Sequence, residues 1–294
     1  MTRTESVTGK YVYLTVQGVE YRVYFEENGQ GIPLVCQHTA GSDGRQWRHL
    51  LNDETVTSHF RVIVPDLPYH GKSLPPESIE WWKVEYKLTK SFFLDFHSEL
   101  CNALSLKSPV YIGCSMGGFL APDLALERPD LYRVVIGIES SLGLGRAVGE
   151  QEMNIIRYYY HAQVGNDSKG AAMYCVSAPM SPEKYRREIG WEYSQNAPSV
   201  FKGDLYYHLV EHDMTDGSAR RIDTSRVAVY LLTGEYDSGC PPVETKKLAD
   251  QIKGVNFIPM KELGHFSMCE NYTALRKHLM PVLADISNKA KNVS

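Results

Sequence analysis

No apolar run in the 294 residues approaches the roughly 18 that a membrane-crossing helix requires. The opening Met1–Lys10 stretch, MTRTESVTGK, is polar and lacks the apolar core of a secretory leader. The cysteines, at 36, 101, 114, 175, 240 and 269, are scattered and include no C-x-x-C pair. Neither a disulfide framework nor a zinc site fits such spacing, so reduced, mostly buried thiols of a cytoplasmic protein are expected. Basic residues number 31 against 35 acidic ones, for a net charge of −4, and no Lys/Arg block stands out. That balance argues against a nucleic-acid or membrane-surface partner. Repeats and low-complexity tracts are also missing. What remains is 43% hydrophobic and 22% charged, close to the globular average and far from a disordered or collagen-like chain. A chain of this size can bury roughly three quarters of its surface.

Within that length the apolar residues are organised. Tyr11–Val16 and Val19–Phe25 alternate in polarity around a Gln17-Gly18 turn, which predicts an antiparallel pair at a sheet edge. Short Val- and Ile-rich runs follow at Pro33–Cys36, Arg61–Val64, Pro109–Ile112, Arg133–Ile138, Val227–Leu232 and Val255–Ile258. Their composition suits strands covered on both faces. Helix-period segments separate several of them: Thr89–Leu106, Met116–Glu127, Pro241–Ile252 and Tyr272–Ile286. This alternation predicts a mostly parallel α/β sheet flanked by helices. From about Leu142 to Ser225 the rhythm breaks, and aromatic residues such as Tyr158, Tyr174, Trp191, Tyr193, Phe201 and Tyr207 accumulate. A helical insertion is expected there, dividing the chain into 1–141, 142–225 and 226–294.

The only G-x-S-x-G, Gly113-Cys114-Ser115-Met116-Gly117, falls where a buried run meets a helix. A residue in so sharp a turn has a strained backbone, and close packing favours glycine on both sides. The hydroxyl then stands at the carboxyl edge of the sheet, beside the free N–H groups and positive dipole end of a helix. A serine is a weak nucleophile without a base, and that base needs an orienting group. Two later strands end in suitable residues: Val227–Leu232 runs into Gly234-Glu235-Tyr236-Asp237, and Val255–Ile258 leads to Leu263-Gly264-His265.

With Gln37-His38-Thr39-Ala40-Gly41, Asp66-Leu67-Pro68-Tyr69-His70-Gly71-Lys72-Ser73, the serine turn, Asp237 and His265 in this order, the chain resembles the α/β-hydrolase superfamily along nearly its whole length. The resemblance implies a mostly parallel eight-stranded sheet with a helical cap over residues 142–225. It also implies Ser115 as nucleophile, His265 as general base and acid, and Asp237 as the group that orients the imidazole. The oxyanion donors it implies are the backbone N–H groups of Met116 and Ala40. Thr39 is the alternative to Ala40, because the family commonly has His-Gly where this chain has His38-Thr39. Glu139, after the Arg133–Ile138 run, is the alternative acid, and otherwise a polar residue at the cap entrance.

Other residues have milder expectations. Ser42 or Asp43 is expected to cap the next helix, and Asp66 and His70 to stabilise their own turn. His38 is expected to brace the loop beneath it. His208 and His212 have the i, i+4 spacing of metal ligands, but H-E-x-x-H is missing and a solvated cap helix accounts for them. Cys114 is expected to point into the core. Sequon-like triplets at Asn166, Asn271 and Asn292 carry no meaning without secretion.

The resulting expectation is a hydrolase of a carboxylic ester, lactone or thioester, working through an acyl-enzyme on a small apolar or aromatic molecule, with no cofactor or metal. C–C bond hydrolysis, acyl transfer or lyase chemistry with the same three residues is the nearest alternative. A ligand-binding receptor on a hydrolase fold is the non-catalytic one. An aspartate-nucleophile dehalogenase or epoxide hydrolase is disfavoured, because Ser115 occupies the nucleophile position.

Overall fold

A computed structural model describes residues 4–291; the Asn292 triplet lies outside the described residues. Eight strands form one sheet: β1 (Thr8–Val16), β2 (Val19–Asn28), β3 (Ile32–Gln37), β4 (Phe60–Pro65), β5 (Val110–Cys114), β6 (Val134–Ile138), β7 (Ala228–Gly234) and β8 (Asn256–Met260). Their spatial order is β1-β2-β4-β3-β5-β6-β7-β8. The opening hairpin supplies one edge, with β1 outermost and β2 bonded antiparallel to both β1 and β4. Every later pairing is parallel.

Burial follows from composition. β5 (VYIGC) and β6 (VVIGI) are buried at every position, as continuous apolar runs must be when helices cover both faces. On edge strand β1, by contrast, Leu14 and Val16 are buried while Tyr13 and Thr15 face out. The helix Lys90–Ala103 starts where Thr89 Oγ1 accepts from Phe92 N–H at 3.2 Å, and it buries Phe93, Phe96, Leu100 and Cys101. Between β6 and β7 come four helices, Arg146–Ile155, Gly165–Cys175, Glu183–Tyr193 and Pro198–Tyr206, then a wide π-helical turn at Tyr207–Glu211. No strand interrupts residues 142–225, apart from an isolated bridge between Gly143 and Asp213.

Five cysteines are buried, and Cys175 is exposed. No helix among the described residues is long and apolar enough to cross a membrane. The consequence for function lies in the register. Gln37 pairs with Gly113, Gly113 with Gly137, Ile138 with Leu232 and Gly234 with Met260. The carboxyl ends of β3, β5, β6, β7 and β8 therefore share one edge.

Candidate active site

At that edge the loops deliver Thr39 and Ala40 after β3, Ser115 after β5, Glu139 after β6, Asp237 after β7 and His265 after β8. Ser115 has φ 55° and ψ −117°, a conformation that L-residues adopt only under constraint. Two glycines make the constraint possible. A Cβ at Gly113 would lie 2.5 Å from Gly117 O, and one at Gly117 would lie 3.0 Å from Gln37 O. The turn is fixed further by Ser115 N–H donating to Ile138 O at 2.9 Å.

The helix that follows, Met116–Glu127, contains Pro122, which has no N–H for the carbonyl of Gly118. Ser140 Oγ takes its place, donating to Gly118 O at 2.5 Å. The first turn thus keeps its geometry, and the Met116 N–H at its start has no partner among the described residues.

His265 Nδ1 lies 2.8 Å from Asp237 Oδ2, while Asp237 Oδ1 accepts from the N–H groups of Gly239 at 2.7 Å and Cys240 at 3.0 Å. Burial alone pushes a carboxyl up, but the imidazole and the hydrogen bonds from His265, Glu139 and Cys240 outweigh it and lower the Asp237 pKa. For His265 burial disfavours charge, yet Asp237, with a smaller part from Glu270, lifts the imidazole above its ordinary value of 6.5. The Nδ1–H tautomer fits this contact and turns Nε2 outward. Ser115 Oγ makes no hydrogen bond to another described residue. The two turns are adjacent all the same, since Cys114 Sγ donates to His265 O at 3.1 Å. Such a gap is common in unliganded sites.

Glu139 is fully buried, with φ 58°, and so is not a polar residue at an entrance. Its carboxyl accepts from Gly234 N–H at 2.8 Å and Thr233 Oγ1 at 3.1 Å, and it lies close enough to Asp237 for the two charges to interact. Burial first, then the Asp237 charge, push its pKa well above the usual carboxylate value. The imidazole contacts Asp237, and Glu139 stands behind that carboxylate.

On the opposite side, Thr39 N–H is committed to Gln46 Oε1 at 3.0 Å and Gly41 N–H to Asp204 Oδ2 at 2.7 Å. Ala40 N–H, between them, has no partner among the described residues. Asp204 comes from helix Pro198–Tyr206 and also receives His70 Nε2 at 2.8 Å and Tyr86 Oη at 3.1 Å. Tyr193 Oη bonds Thr39 Oγ1, and the Tyr193 ring lies 5.3 Å from that of Phe266. The helical segment is thereby fastened directly onto the loop that carries Ala40.

Several residues keep to supporting roles. His38 donates to Thr39 O and accepts from Leu67 N–H, which braces the loop. Asp43 caps the following turn by accepting from Arg45 N–H at 3.0 Å. Asp66 holds Gly44 N–H and Lys72 N–H, whereas His70 reaches beyond its own turn to Asp204. The solvated helix expected around His208 and His212 is not observed. His212 is buried between Asp123 Oδ2 at 2.9 Å and Ser141 O at 3.0 Å, because the helix Met116–Glu127 after the serine turn, the elbow helix, presents a buried carboxylate there. His208 stacks on Phe119 with ring centroids 4.2 Å apart, and burial lowers its pKa to about 3. No group of three His, Cys, Asp or Glu among the described residues is arranged to hold a metal ion. Sequence reasoning missed Asp204, Tyr193 and Glu270, whose partners are remote in the chain.

The family described as alpha/beta hydrolase fold matches residues 32–272. Bifunctional epoxide hydrolase 2 of Sus scrofa is 24% identical over 299 residues, covering 87% of this chain and 51% of that protein. Pimeloyl-[acyl-carrier protein] methyl ester esterase of Vibrio cholerae is 27% identical over 119 residues, covering 40% of this chain and 41% of that protein. The chain thus spans about half the length, or less, of these curated relatives. Among solved structures, a thermophilic esterase from Thermogutta terrifontis superposes with a TM-score of 0.80 at 21% identity, covering 95% of this chain and 99% of that one. A shared fold at such identity leaves the chemistry open, but a match across residues 32–272 does not leave the family open: the chain belongs to the α/β-hydrolase fold family.

Proposed function

We propose that the protein is a serine hydrolase that cleaves a carboxylic ester, lactone or thioester through an acyl-enzyme. The observation that carries this reading is the His265–Asp237 hydrogen bond of 2.8 Å at the strand edge that also holds a serine at positive φ, with the Met116 and Ala40 amides unpaired among the described residues. In this account Ser115 Oγ attacks the carbonyl carbon while His265 Nε2 takes its proton. Asp237 stays ionised and stabilises the imidazolium. The developing oxyanion is held by the N–H groups of Met116 and Ala40. Ala40 is favoured over Thr39 because Thr39 N–H is already spent on Gln46. Each such donor is worth about 3–4 kcal/mol of barrier. The imidazolium then protonates the leaving group, and water repeats the sequence to release the acid.

Apolar or aromatic small molecules suit the surroundings. Phe119, Phe266, Tyr193 and Phe201 gather about the two loops, and His208 is held neutral. Residues 142–225 act as a cap in this reading. Ser115 and His265 are only 6% and 8% exposed, which suits an enclosed site. A surface groove of about 700 Å³ lined by Tyr69, Trp81, Trp82, Tyr86, Tyr160 and Val200 contains neither residue and is not the acyl site. The names of the relatives, an esterase and an epoxide hydrolase, support hydrolysis and leave the bond to experiment. Hydrolysis of a p-nitrophenyl ester series is the test. Ser115→Ala is expected to abolish turnover with an unchanged melting profile; near-normal activity in that variant refutes the assignment.

A further inference from the structure

His265 begins a tight turn that closes on itself. Cys269 N–H donates to Phe266 O at 2.9 Å and Glu270 N–H to the same oxygen at 2.7 Å, forming the short helix Ser267–Glu270. One helical turn brings Glu270 back beneath the residues that flank the imidazole. Its Oε1 accepts from Gly264 N–H at 2.6 Å, and its Oε2 accepts from Phe266 N–H at 3.3 Å. The carboxylate therefore holds the backbone on both sides of His265.

The same side chain reaches the segment between helices Gly165–Cys175 and Glu183–Tyr193. Ala178 N–H donates to Glu270 Oε1 at 3.4 Å and Ser181 Oγ donates to it at 3.2 Å. Two further contacts close the seam. His265 N–H donates to Val176 O at 3.3 Å, and a Cβ at Gly264 would lie 2.4 Å from Ala178 N. Backbone N–H groups only donate, so three of the four partners demand an acceptor, which an ionised carboxylate supplies best.

We infer that Glu270 is a positioning residue for the base: it locks the His265 turn to the 176–181 segment of the cap and sets the imidazole against Asp237. This rests on the reading of His265 as the general base. A purely structural carboxylate would hold the turn without influencing the proton on His265. Glu270, however, also contributes its charge to the raised pKa of the imidazole, after Asp237. Burial pushes the Glu270 carboxyl up and its four donors offset that only in part, so its pKa lies above the ordinary carboxylate value. The other titratable groups around the base are accounted for. Asp237 faces Nδ1 and Glu139 stands behind it; His208, with a pKa lowered to about 3, approaches from the cap. The Cys114 and Cys240 thiols are pushed well above their usual range by burial and stay neutral.

Glu270→Gln keeps the size, removes the charge and turns one acceptor into a donor facing an N–H. In the full-length protein, kcat is expected to fall on the order of a hundredfold, as for a misplaced catalytic group, with KM changed less than about threefold. The pH below which kcat is lost, and the midpoint of the His265 ring titration followed by NMR, are both expected to move to lower pH. Glu270→Asp restores the charge with a shorter reach. It is expected to return the titration midpoint towards the native one while recovering kcat only in part. Ser181→Ala, which removes one donor of four and leaves the core intact, is expected to lower kcat by a few-fold without moving the midpoint. The inference is overturned if folded Glu270→Gln keeps the native kcat and midpoint. If that variant does not fold, a Glu270→Asp midpoint equal to the native one with reduced kcat supports it, and native values of both overturn it. His265→Ala assayed alongside separates the two claims: an active His265→Ala ends the reading of the base itself, whereas an inactive one with a native-like Glu270→Gln ends only the role of Glu270.

Discussion

Glu139, pushed up by burial, stands beside Asp237, which the imidazole pulls down, and the two carboxyls respond differently to amide replacement. Glu139 accepts from Gly234 N–H and Thr233 Oγ1, and glutamine in the same place can still accept from Gly234 with its oxygen while its nitrogen donates to the Thr233 hydroxyl. Glu139→Gln is therefore expected to keep kcat within about threefold of the native value. Asp237→Asn keeps the shape but favours the wrong tautomer of the imidazole and is expected to cost on the order of 10⁴ in kcat. Steady-state assays of the two variants decide the matter, and the reverse ranking makes Glu139 the acid. The sign of the pH dependence follows from His265. Its pKa is raised above 6.5 by Asp237 against burial, and a base works only when neutral. Activity is thus expected to rise with pH through a midpoint above 6.5, measured as kcat/KM for a neutral ester, and a midpoint below 6.5 contradicts the ion-pair geometry. At this scale the sequence was legible in position: Ser115 follows β5 directly, and Asp237 and His265 lie in the loops after β7 and β8. Glu139 stood there too, but its protonation depends on burial and on a carboxylate that only the folded sheet brings near.

Between elements, the seam joining the helices of residues 142–225 to the sheet-edge loops is built from few contacts with large consequences. Asp204 alone receives Gly41 N–H, His70 and Tyr86, and it is fully buried. Asp204→Ala strands those three donors in a dry site and is expected to destabilise the protein by about 3–5 kcal/mol, read from denaturant unfolding. A loss under 1 kcal/mol would show that the seam is solvated. None of this was visible in the sequence, because Asp204 and Gly41 lie 163 residues apart and Glu270 and Ala178 lie 92 apart. The strands were legible for the opposite reason: a run such as Val-Val-Ile-Gly-Ile signals burial on both faces without reference to its partners. The histidines at 208 and 212 show the limit of helical spacing, since a pattern read as a solvated face proved to pack against Phe119 and Asp123 on the elbow helix.

For the whole molecule, the proposal joins an open-edged parallel sheet to a cover that leaves its reactive groups almost no exposure. A net charge of −4 without a basic block gives little long-range steering. For a neutral ester, kcat/KM is therefore expected to change less than about twofold as ionic strength is raised severalfold. The fold brings five strand ends to one edge, and the central claim is that one alcohol among them is activated by a neighbouring imidazole. A fluorophosphonate, which transfers its phosphonyl group to an activated serine oxygen, tests this most directly when the labelled peptide is identified by mass spectrometry. The account predicts stoichiometric modification of Ser115, abolished in Ser115→Ala and strongly slowed in His265→Ala. Modification of a different residue, or none in folded protein, would contradict it.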